Sequence, residues 1–282
     1  MTAVPIRSNV EHVERLMSAL GAGDDAAVLG LVDPEIELVP LVVSAGLVPD
    51  PYRGLDGMRA YLEDAGAADV ERGFVATRVR GAGDTVVAFG DVLDGPDGAT
   101  MPALWIWRFR DGLVTHGTLV SDEAALRAAR NGGMRVGAAP RGATRSPLGL
   151  QLPAIPESAG DARHAVGIWT DNLTLTRRER NDIMLAVSEA ATNVVRHAYP
   201  TGGRDPAFGI VAELSDGQLL IAMSDEGVGL GATSPNPGLG MGLPLLGKLA
   251  SALSLVSPPE RERGLEVRMW FALASLAAPG AP

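Results

Sequence analysis

A stretch in the middle of this chain, Arg130 to Gly149, can sustain neither a helix nor a central strand. It holds Gly132, Gly133, Gly137, Gly142, Pro140 and Pro147, with Arg130, Arg135, Arg141 and Arg145 among them and no acidic residue. Glycine's backbone freedom and proline's missing amide make regular structure costly at that density, so the stretch reads as a linker. It divides 282 residues into two segments of ordinary domain length. The expected organisation is a first domain over residues 1–130, a Gly/Pro/Arg linker over 131–147 and a second domain over 148–282.

Both segments have the means to bury a core, since 46% of the chain is hydrophobic and 21% charged; disorder throughout is excluded. The absence of cysteine removes disulfides, thiolate zinc sites and cysteine nucleophiles together. The longest apolar run, Leu38 to Val48, is broken by Pro40 and Ser44, well short of the roughly 18 residues a membrane span needs. Residues Met1 to Arg15 lack the apolar core of a secretory signal, so a cytoplasmic protein with no membrane role is expected. A net charge of -10 argues against nucleic-acid binding, which needs a basic face to displace counterions. Proteins and small molecules are the expected partners.

In the first segment Ser8-Asn9-Val10-Glu11 has the form of a capping box and predicts a helix start. Val13, Leu16, Met17 and Leu20 follow at helical spacing, a second helical stretch around Ala26 to Val32 stops at Asp33-Pro34, and a short helix is expected over about Asp56 to Ala65. Four strand-like runs come next, Phe74 to Arg80, Thr85 to Leu93, Met101 to Arg110 and Leu113 to Val120, joined by turn signals such as Asp111-Gly112. Helices followed by an antiparallel meander predict an α+β domain. Alternation places Trp105, Trp107 and Phe109 on one face of the third strand, where core packing is favoured over lining a pocket. Arg53 to Met58, Trp105 to Gly112 and Ser121 to Ala124 resemble the SnoaL-like branch of the nuclear-transport-factor-two-like superfamily. That resemblance implies a curved sheet folded over helices into a cone. It suggests a small-molecule ligand for this domain, or a homodimer, without assigning any catalytic residue.

In the second segment helices are expected over about Glu157 to Leu173 and from Thr176 to about Tyr199, the latter opened by a second capping box, Thr176-Arg177-Arg178-Glu179. Glu189, Asn193 and His197 recur at i, i+4 and i+8 and would stand in one line, while Ile183, Val187, Ala190 and Val194 face a core. A solvated helix face would explain Glu189 alone, but a stripe free of arginine and lysine is harder to explain that way. The strands Phe208 to Leu214 and Gln218 to Ser224, joined at Asp216-Gly217, run into Asp225-Glu226-Gly227-Val228-Gly229. A carboxylate at a strand end beside glycines can meet a ligand closely. Gly238-Leu239-Gly240-Met241-Gly242 then leads into a helix expected to reach Leu253, and amides at such a helix start suit phosphate.

Each pattern is weak alone, but the three in this order, Glu189 to Tyr199, Asp225 to Gly229 and Gly238 to Leu243, resemble the Bergerat-type ATP-binding fold of gyrases, histidine kinases and mismatch-repair ATPases. The likeness is nearest to the anti-sigma factor serine kinases and covers about residues 146–275. It implies an α/β sandwich that binds ATP with Mg²⁺. Asn193 would bind the metal, Asp225 the adenine amino group, and Gly227, Gly229, Gly238, Gly240 and Gly242 would contact the nucleotide. Glu189 would act as general base on a serine hydroxyl. The implied partners are a sigma factor and an anti-sigma factor antagonist that accepts the phosphoryl group. One difference stands out: Leu265 follows Gly264 where these kinases usually carry a threonine. His116 and His164 lie in a strand-like run and in the domain's own first helix, which disfavours a histidine kinase. A small-molecule enzyme in the first domain with a regulatory nucleotide domain, or an ATP-binding scaffold without transfer activity, remains an alternative function.

Overall fold

The computed structural model describes residues 6–40, 43, 50–68, 74–94, 99–121, 147–171, 173–203, 205–215, 217–229, 242–256 and 263–274. The chain divides into two compact units, Met1–Ala143 and Thr144–Pro282. The expected linker, apart from Pro147, lies outside the described residues. No helix among those described is long and apolar enough to cross a membrane.

The first unit is α+β. Helices α1 (Ile6–Ala22), α2 (Asp25–Leu29) and α3 (Gly54–Ala68) accompany a sheet of strands β1 (Val32–Val39), β2 (Tyr52–Arg53), β3 (Phe74–Ala82), β4 (Thr85–Asp94), β5 (Ala99–Arg110) and β6 (Leu113–Ser121), in the order β2-β1-β6-β5-β4-β3. Strands β3 to β6 form the expected meander. The Asp111-Gly112 turn has φ of 51° and 84°, both positive as a two-residue hairpin of primed type requires. Strand β1 adds to β6 in parallel, a pairing that no local turn encodes.

Helix α1 begins at Ile6, ahead of the expected capping box. Asn9 instead lies 3% exposed inside the helix, its Nδ2 donating to the Gly83 carbonyl at 3.4 Å, so the residue makes a tertiary contact and not a cap. The core joins Val13 and Leu16 of α1 and Met58, Tyr61 and Leu62 of α3 to Val86, Ala88, Trp105, Trp107, Phe109 and Leu119 of the sheet. The Trp105 and Trp107 rings stack with centroids 4.6 Å apart. Gly117, which pairs with Trp107, leaves room for that indole, because a Cβ there would lie 2.3 Å from its ring. These aromatics are therefore core residues.

The second unit is a two-layer sandwich. Its sheet is wholly antiparallel and runs β10-β11-β9-β8-β7, from β7 (Leu148–Pro153), β8 (Ala207–Ser215), β9 (Gln218–Asp225), β10 (Ala252–Val256) and β11 (Leu265–Ala272). Alternation buries Leu150, Ile210, Ile221, Met223, Met269 and Phe271 on one face. The buried helix residues come from α4 (Ser158–Thr170) and α5 (Arg177–Asn193), which supply Ala165, Val166, Trp169, Ile183, Val187 and Ala190. Helix α6 (Gly242–Leu249) ends earlier than its apolar run suggested, and Ala252 and Leu253 pair instead with Trp270 and Met269 of β11. Strand pairing overrides the helix propensity of those residues.

Helix α5 starts where its sequence specifies. Thr176 caps it, and Glu179 returns the bond to the Thr176 amide at 2.7 Å while its other oxygen accepts the Ala274 N–H at 2.7 Å. The Thr176 hydroxyl, followed by those two amides, holds the Glu179 carboxyl below its usual range. One glutamate thus fixes both the helix start and the chain leaving β11.

Candidate functional site

The helix that carries the first motif changes its pitch within that motif. Ile183, Ala186, Val187, Ala190 and Ala191 are buried, and Glu189 and Asn193 stand half-buried one turn apart. From Val194 to Ala198 the backbone forms a π-turn, which pairs i with i+5. The straight line expected for Glu189, Asn193 and His197 is therefore continuous only to Asn193, since a wider turn carries His197 to another angle.

That turn exposes its last carbonyl to the second motif. Ala198 O accepts the Val228 N–H at 2.9 Å, and Gly227 packs so closely that a Cβ there would lie 2.1 Å from the same oxygen. Gly229, at φ 69°, approaches Gly264 less closely, a Cβ meeting the Gly264 carbonyl at 3.2 Å. Both glycines thus have a packing reason within the protein. The three consecutive amides of the turn are all engaged: Glu226 N–H donates to the Tyr199 hydroxyl at 3.1 Å, Gly227 N–H to Asp225 Oδ1 at 2.8 Å, and Val228 N–H to Ala198. These bonds tie the turn, and the Asp225 carboxylate, which accepts from the Gly227 and Leu265 amides, keeps acceptor capacity beyond them.

Asp225 ends β9 between Phe208 on β8 and Leu265 on β11. It continues the buried face of Leu219, Ile221 and Met223 and is only 9% exposed. Burial pushes its carboxyl above the usual range, outweighing the amides of Gly227 and Leu265 that pull it down. A carboxyl that binds its proton more tightly folded than unfolded lends stability below its unfolded pKa, near about 4, and loses it as the pH rises through the raised folded value. The stability of the parent relative to Asp225→Asn is accordingly expected to increase on acidification through that window. Denaturant midpoints of the two proteins, compared from below the ordinary carboxylate range of about 4 upward through neutrality, check this, and a constant difference would overturn it.

Of the remaining expected site residues, Gly242 opens α6, which packs on α5 and carries the fully buried Leu246. Gly238 and Gly240 lie outside the described residues. Among those described, no cluster of three or more His, Asp or Glu could hold a metal ion unaided. Sequence reasoning did not single out Tyr199, whose hydroxyl donates to the Ala207 carbonyl at 2.6 Å; its position after the Arg196-His197-Ala198 stretch was visible, but its two bonds depend on distant strands.

Compared with known proteins, residues 152–271 match the histidine kinase-like ATPase domain and residues 13–117 the SnoaL-like domain. The anti-sigma F factor of Shouchella clausii (strain KSM-K16) is 32% identical over 123 residues, spanning 40% of this chain and 84% of that protein. That of Clostridium botulinum (strain Eklund 17B / Type B) is 30% identical over 133 residues, spanning 43% and 91%. A further anti-sigma F factor, from Pasteuria penetrans, is 34% identical over 86 residues, of which the match spans 57% of its length. Among solved structures, an NTF2-like protein of unknown function from Burkholderia pseudomallei K96243 is 20% identical with a TM-score of 0.38, covering 43% of this chain and 96% of that one.

Proposed function

The chain belongs to the anti-sigma F factor family through its histidine kinase-like ATPase domain, and from that membership we propose that it is an ATP-dependent serine kinase and anti-sigma factor. In this reading it regulates transcription by switching between a sigma factor and an anti-sigma factor antagonist according to the antagonist's phosphorylation. The observation that carries it is the buried carboxylate of Asp225, held by backbone amides on a turn that is clasped to the asparagine-bearing helix at Ala198. Such a group has acceptor capacity left for an exocyclic amino group.

The residues divide the work by chemistry. Asp225 accepts from the adenine amino group, and Asn193 offers an amide oxygen to Mg²⁺, which supplies charge neutralisation at the phosphates. Glu189, one turn before Asn193, takes the proton of the antagonist's serine hydroxyl as its oxygen receives the phosphoryl group. Gly238, Gly240 and Gly242 bring backbone amides to the phosphates. Leu265, opposite Asp225 in the sheet, contributes its backbone N–H to that carboxylate and no hydroxyl.

Titration calorimetry of the full chain with Mg²⁺ and ATP tests the assignment. Asp225→Ala is expected to weaken ATP by about tenfold to a hundredfold, the range of a hydrogen bond involving a charged group, and Asn193→Ala is expected to weaken Mg²⁺-ATP through the lost metal contact. Unchanged affinity in both variants would reject the nucleotide site, and a failure to phosphorylate any co-encoded antagonist while ATP still binds would reject the kinase.

A further inference from the structure

Strands β8 and β9 pair in register as far as Phe208 with Asp225. One rung further, a continued antiparallel ladder would join the Ala207 carbonyl to the Glu226 amide directly. The Tyr199 hydroxyl stands between them instead: it donates to Ala207 O at 2.6 Å and accepts from Glu226 N–H at 3.1 Å. The phenol oxygen thus replaces a rung and ends the pairing at Asp225.

The peptide unit joining Asp225 to Glu226 is clamped on both edges. Its N–H is held by Tyr199, and its carbonyl lies against Gly264, where a Cβ would come within 2.5 Å of it. This peptide adjoins the Asp225 Cα, so its orientation fixes the backbone angle that aims the Asp225 side chain. We propose that Tyr199 is a positioning residue for base recognition: by replacing the next rung of the β8–β9 ladder it opens the strand pair and aims the Asp225 carboxylate at an amino group on the bound base. The inference rests on the proposed nucleotide site and names what sets its preference for an amino-bearing purine. Burial, with Asp225 nearby, holds the phenol protonated, so it remains a donor to Ala207 across the physiological range.

Tyr199→Phe keeps the half-buried ring and removes only the bridging oxygen. The test compares ATP with purine riboside triphosphate, which lacks the amino group, by calorimetry on the full chain. The parent is expected to prefer ATP. Tyr199→Phe is expected to weaken ATP by about threefold to tenfold, the range of one neutral hydrogen bond, and to leave the analogue within about twofold of the parent. Equal losses for both nucleotides, or a variant that no longer folds, would assign Tyr199 a general structural role and overturn the proposal. Retained preference in the variant would overturn it as well, while leaving the proposed site intact. A parent with no preference for ATP would reject the reading of Asp225 itself, and the inference with it.

Discussion

Glu189→Gln is expected to slow phosphoryl transfer to an antagonist serine by roughly 10²–10⁴-fold, the contribution of a positioned general base, while ATP affinity stays within about twofold of the parent. The substitution preserves size and hydrogen bonding and removes only the proton acceptor. Glu189 is half-buried on α5 one turn from Asn193, so it lies beside the residue proposed to bind the metal without being one of the groups assigned to nucleotide binding. A phosphotransfer time course with a co-encoded antagonist, run beside ATP calorimetry on the same preparations, separates the possibilities. Equal rates would make Glu189 an ordinary helix-surface residue. Lost ATP binding would move it into the metal site or the fold, and either result rejects the general-base role. Asn193→Ala is the complementary variant, because it is expected to reduce binding first and transfer only as a consequence.

What the sequence made legible follows from the range of the interactions involved. The Thr176–Glu179 cap is complete within four adjacent residues, and α5 starts there. Strand alternation and the Asp111-Gly112 turn are similarly local, and both formed as expected. Asp225 at the end of β9 was legible because a strand pattern running into an Asp-x-Gly-x-Gly turn marks its own end. Features recruited by distant partners were not legible. The π-turn over Val194–Ala198 meets the second-motif turn through Ala198 O and the Val228 amide, and nothing within the helix sequence names that donor. Tyr199 closes the same helix, yet its function in the fold is defined by Ala207 and Glu226. The residues Ser8 to Glu11 carried a cap signal that tertiary structure overruled, since Asn9 is used against Gly83. Strand β10 was hidden for the same reason: Ala252 and Leu253 favour helix in isolation, and β11 supplies the pairing that decides otherwise.

The tightest of those distant approaches gives the largest expected effect on stability. Gly227→Ala would place a Cβ 2.1 Å from the Ala198 oxygen, 2.6 Å from its carbonyl carbon and 2.7 Å from its Cβ. No side-chain rotation relieves this, because the opposing atoms are backbone and a methyl group. Gly227 does not adopt a left-handed φ, so alanine's own backbone preference adds no penalty and the effect is steric. The turn must retreat from the π-turn, breaking the Val228–Ala198 bond and loosening the Gly227 amide from Asp225. Overpacking costs about 1–3 kcal/mol, and a buried N–H left without its partner adds about 1–3 kcal/mol. A loss of about 2–6 kcal/mol is therefore expected in the unfolding transition of the second unit, with ATP affinity falling alongside because Asp225 is held by the same turn. Gly160→Ala in α4 is the control: nothing lies within 4 Å of its Cβ position, and replacing glycine by alanine in a helix is expected to stabilise by up to about 1 kcal/mol. Scanning calorimetry of the three proteins checks both. Were Gly227→Ala to melt with the parent, the second motif would not be packed on Ala198, and the link from the asparagine-bearing helix to the Asp225 turn would be lost from the proposed site.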